Sequence, residues 1–169
     1  VIEPSDAYAH ILRDHGILCS ETPVHNDIKL HWLSFAHASA ILALQGIGAI
    51  HEVGTRAHHL TTRRGAERLC IFDILADVLA GLRRAHCDPL ILRGFVQFTH
   101  DICQWNLGQV DAGLRPAFAA GTRRAYLAFR PEEFALYALW QPDRADEMAR
   151  FAIGARDPAA EDGKAGGAS

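Results

Sequence analysis

The sequence has no C-x-x-C pair, no Gly-rich loop of the phosphate-cradling kind, no basic block and no run of sustained apolar/polar alternation. Cys19, Cys70, Cys87 and Cys103 are its four cysteines, and their spacing fits neither a disulfide-stapled secreted domain nor a zinc ribbon. Free, buried thiols are expected. Basic residues cluster only as pairs such as Arg63-Arg64, Arg83-Arg84 and Arg123-Arg124, and the formal net charge is -3, so no nucleic-acid footprint is present. The first six residues show no basic stretch ahead of an apolar one, which makes the cytoplasm the expected location. A Gly-x-Ser-x-Gly nucleophile elbow is also missing, and the His100/Cys103 pair at i, i+3 is a spacing that arises readily by chance on a helix.

Metal chemistry is narrowed in the same way. One ion holds nitrogen ligands at about 2.0–2.1 Å, so two histidines on one helix share it readily only at i, i+3 or i, i+4. None of the ten histidines is so paired. His37 and His51 would stand about 21 Å apart along a helix rising 1.5 Å per residue. Neither Glu-x-x-His nor His-Glu-x-x-His occurs. A non-haem iron site would need ligands from several helices, whereas haem would need a single axial histidine in an apolar pocket, and His37 or His51 would serve.

What is present is helical. Hydrophobic residues make up 49% of the 169 and charged residues 22%, enough to build a packed core in one domain. Pro and Gly punctuation divides the chain into periodic segments: a first helix from about Ser5 to His15, a long second from Asn26 to Leu60 bent near its glycines, a third over residues 65–86, a fourth from Pro89 to about Gly113, shorter helices over 122–129 and 131–140, and a last from Pro142 to about Ile153. The expected fold is all-α, a compact bundle of five to seven helices over residues 1–153. The Ala- and Gly-rich segment 154–169 lacks apolar anchors and is expected to be disordered.

Helical projection identifies the candidate site. The third helix gathers Cys70, Ile71, Ile74, Leu75, Val78, Leu79 and Leu82 on one arc and sets Asp73, Asp77 and Arg84 opposite, as a solvated face. On the fourth helix Phe95, Val96, Cys103 and Leu107 belong to a wide apolar arc, and Asn106 falls within it, so that it must find hydrogen-bond partners if buried. The remaining stripe carries Gln97, His100, Asp101 and Gln104, either a solvent face or the polar wall of a ligand cavity. The second helix has no charge from residue 30 to residue 50. That run approaches the roughly 20 residues of a membrane span, but its His31, Ser34, His37, Ser39 and Gln45 fit a helix enclosed by protein better. Its stripe of Leu33, His37, Ile41, Leu44, Gly48 and His51, with Glu52 at the edge, makes His37 a ligand-binding candidate and His51 with Glu52 a general-base candidate. These faces suggest a bundle that encloses a small ligand or cofactor, haem and non-haem iron among them. The competing reading is a subunit that binds a partner chain, or its own copy in a homo-oligomer, through the small-residue run from Ala36 to Gly48 and the aromatics Tyr137 and Trp140, expected to be exposed.

Overall fold

A computed structural model describes residues 4–41 and 63–154, with side chains from residue 9 onward. The described residues contain seven α-helices and no strand: α1 (Pro4–Asp14), α2 (Ile28–His37), α3 (Ile71–Arg84), α4 (Pro89–Gln109), α5 (Arg115–Leu127), α6 (Pro131–Trp140) and α7 (Pro142–Ala152). Short 3-10 turns precede α3 and α5.

The punctuation works as the local chemistry requires. Gly16 takes φ +60 just past α1, the left-handed conformation that glycine adopts without strain, and turns the chain so that Ile17 is buried. Asp88 caps α4 by accepting from the Leu90 N–H at 2.7 Å, ahead of Pro89 in the first turn. Glu133 accepts from the Arg130 N–H at 2.8 Å in a capping box at the start of α6. The same carboxylate receives two bonds from Arg83, at 2.8 and 2.7 Å, and Arg83 also donates to the Ala128 carbonyl. One fork therefore ties the end of α3 to the loop before α6.

One hydrophobic cluster joins the helices. Of the α3 arc read from periodicity, the residues from Ile71 to Leu82 are buried and Cys70 is half-buried, while Asp73, Asp77 and Arg84 are exposed. Helix α4 runs through the centre and packs against α5 and α6, with Phe95, Val96 and Cys103 fully enclosed. Each such side chain contributes roughly 1.5–3 kcal/mol of burial.

Three expectations need correction. The second helix ends at His37, where Ala38 is extended, and residues 42–62 of its expected course lie outside the described residues. The fourth helix stops at Gln109 and the fifth starts at Arg115, earlier than residue 122, with Pro116 in its first turn. Tyr137, expected among exposed aromatics, is fully buried, while Trp140 is half-exposed. No helix among the described residues is long and apolar enough to cross a membrane. His51, Glu52 and the segment 155–169 lie outside the described residues.

Candidate functional site

His37, the histidine singled out on the charge-free helix, occupies the last turn of α2. Its ring stacks on that of His15, just beyond α1, with centroids 3.7 Å apart and planes 17° from parallel. Helix α3 comes alongside because Gly81 has no side chain: a Cβ there would stand 2.5 Å from Leu33 Cδ2. This close approach brings Arg84, at the end of α3, into the same cleft as Lys29 from the first turn of α2. The cleft has a volume of 330 Å³, and its walls carry four basic side chains: His15, Lys29, His37 and Arg84. Lys29 Nζ lies 3.5 Å from Asp77, the one carboxylate contact recorded for these four among the described residues.

The bland explanation of such basicity is compensation of helix dipoles. The C-terminal ends of α1, α2 and α3 all border the cleft, each worth about half a negative charge. Three ends plus Asp77 roughly offset Lys29 and Arg84. The imidazoles then decide the sign of the cleft: neutral, they leave it near balance, and protonated, they make it cationic. Burial and the neighbouring His15 both hold His37 below its ordinary value of 6.5. An anion between these groups would reverse that bias.

The α4 stripe is largely engaged with the bundle itself. His100 is buried, with Nδ1 3.0 Å from the Tyr126 hydroxyl and Nε2 3.6 Å from the Glu147 carboxylate. Gln104 Nε2 donates to the same Tyr126 oxygen at 3.3 Å, which leaves the phenol hydrogen for His100 Nδ1. Asp101 is paired with Arg144 of α7. Three of the four candidates on this stripe thus fasten α4 to α5 and α7, and Gln97 is half-buried without joining them. Burial holds His100 below its ordinary pKa, an effect that the nearby Glu147 partly opposes.

A second polar centre was not legible as a unit. Asn106 does find its partners: Arg68 Nη1 donates to its Oδ1 at 2.6 Å, His25 Nε2 lies 3.1 Å from the same oxygen, and its Nδ2 donates to the Ile102 carbonyl at 2.8 Å. Arg68 is only 1% exposed and sits 4.8 Å from the centre of the Trp105 ring. His25, at φ 60, comes from the loop before α2. His25 and Arg68 line a mainly apolar cleft of 360 Å³, together with Asp27. The in-arc Asn106 was the sole signal in the sequence for this node.

Among the described residues no group of three His, Cys, Asp or Glu side chains gathers as a metal site. Around His37 a metal cation would face Lys29 and Arg84, so the donor set there suits an anion. Compared with protein-family models, curated proteins and solved structures, the chain matches none.

Proposed function

We propose that the protein binds a small anion in the cleft among α1, α2 and α3, with His37, His15, Lys29 and Arg84 as its ligands. The observation that carries this reading is the convergence of four basic side chains, from α2, α3 and the turn after α1, on one 330 Å³ cleft. Arg84 and Lys29 supply permanent charge, and the stacked imidazoles supply charge that the anion itself stabilises. A guest with two or more anionic oxygens, such as phosphate, can contact several of these groups at once. Titration calorimetry with inorganic phosphate at pH 6 and pH 8 tests it. Saturable binding, stronger at pH 6 and weakened roughly tenfold by Arg84→Gln or His37→Gln, is expected, each lost charge-assisted bond being worth about 1.5–3 kcal/mol. Absence of binding at both pH values would reject the proposal.

A protein-binding role has one observation in its favour. Leu136, Leu139 and Trp140, at i, i+3 and i+4 of α6, are all exposed and form an apolar strip. Nothing in this strip specifies a partner.

A further inference from the structure

A separate cavity lies between α3, α4 and α5. It holds 230 Å³, and its walls are mainly apolar, with Phe72, Leu75 and Leu79 from α3, Phe95 from α4 and Phe129 beyond α5. Asp73, Ala76, Arg124 and Ala128 are its exposed wall residues and mark the mouth. Behind the mouth, the wall has one polar side chain. Thr99 is 1% exposed, and its hydroxyl has no hydrogen-bond partner among the described residues. A threonine inside a helix ordinarily returns its hydroxyl to a carbonyl one turn back, and a buried hydroxyl without any partner costs about 1–3 kcal/mol. The cavity also exceeds the roughly 150 Å³ at which apolar protein cavities accept benzene.

We propose that this cavity is a binding site for a small, mainly apolar molecule carrying a single hydroxyl, with phenols and compact cyclic alcohols as the chemical class. The aromatic and aliphatic walls take the hydrocarbon body, and Thr99 supplies the one hydrogen bond that the enclosure otherwise leaves unmade. Gly121 shapes the site: a Cβ there would come within 2.2 Å of the Phe72 ring, so its absence keeps that ring back against α5. The four residues of the anion cleft do not line this cavity, and the two sites stand or fall separately.

The test uses phenol and toluene as probes on the whole chain. Calorimetry should show saturable binding of both to the wild type. Thr99→Val keeps the shape and removes the hydroxyl, so phenol should bind about tenfold more weakly while toluene is unchanged. Ala125→Leu, which fills the cavity from α5, should abolish both. Because that variant could fail to fold, amide shift mapping on the wild type provides an independent readout, with phenol-induced shifts expected at Phe72, Thr99 and Ala125. No saturable phenol binding, an unchanged phenol-to-toluene ratio in Thr99→Val, or shifts confined to other surfaces would each overturn the proposal. Arg84→Gln should leave phenol binding untouched, which separates failure here from failure of the anion reading.

Discussion

Replacing Asn106 with leucine removes the acceptor on which two elements converge. The side chain is fully buried, and the change deletes the bond from Arg68 at 2.6 Å, the contact with His25 at 3.1 Å and the bond to the Ile102 carbonyl at 2.8 Å. The Ile102 carbonyl is one turn back in the same helix, so its loss matters least. Arg68 matters most, because a buried guanidinium that loses one of its acceptors, with the Arg63 carbonyl still in place, costs about 1.5–3 kcal/mol, and a neutral group such as His25 about 1 kcal/mol more. Together the variant should lose roughly 2.5–4 kcal/mol, which for a chain of this size lowers Tm by about 10 °C. Urea unfolding followed by circular dichroism measures it, with the midpoint falling and the slope unchanged. If Arg68→Met is combined with Asn106→Leu, the double variant should be at least about 1 kcal/mol more stable than the sum of the singles implies, since both singles break the same 2.6 Å bond. A loss below about 1 kcal/mol for Asn106→Leu, or strict additivity, would refute the view that this node anchors the loop to α4.

Glu133→Gln should cost about 1–3 kcal/mol near neutrality, because the fork from Arg83 holds the Glu133 carboxyl below its ordinary value of 4.5. The pair's contribution is present above that value and is lost as pH falls through the lower folded-state value, so acid titrations of wild type and variant should converge at low pH. Gly121→Ala should destabilise by about 1–3 kcal/mol in thermal melts and displace the Phe72 ring, an overpacking cost that a neutral result would contradict. Changing Asp73 and Asp77 together to Asn should move stability by less than about 1 kcal/mol, since both are exposed and the contact of Asp77 with Lys29 is a surface pair. Collapse of folding in that variant would mean that α3 is rotated from the orientation described.

How much of this was legible depended on whether the signal was local. The inward arc of α3 and the central course of α4 followed from helical period alone, because burial there covers one continuous face. The end of α2 did not, since residues 36–40 contain neither Pro nor Gly to mark a helix stop. His37 stands out in the sequence as a histidine on a charge-free helix and is half-buried in the structure, yet its partner His15 lies 22 positions earlier, beyond any periodicity. His100 was assigned to a polar stripe because α7, whose Glu147 and Arg144 meet that stripe, is remote in sequence. Tyr137 misled because α6 is apolar on nearly every side, which hides its inner face. Arg68 carries no local mark of burial. Such a signal exists only once α3, α4 and the loop before α2 are brought together.

The anion reading is tested most directly at the His37 ring. In the free protein its proton titration, followed by NMR at Cε1, should have a midpoint below 6.5, because burial and His15 disfavour the imidazolium. An anion held between His37, His15, Lys29 and Arg84 stabilises the charged ring, so the midpoint should rise as phosphate is added. Chloride at matched ionic strength should leave it in place. A midpoint that stays where it began while phosphate is raised, with His15 equally unmoved, would contradict the account.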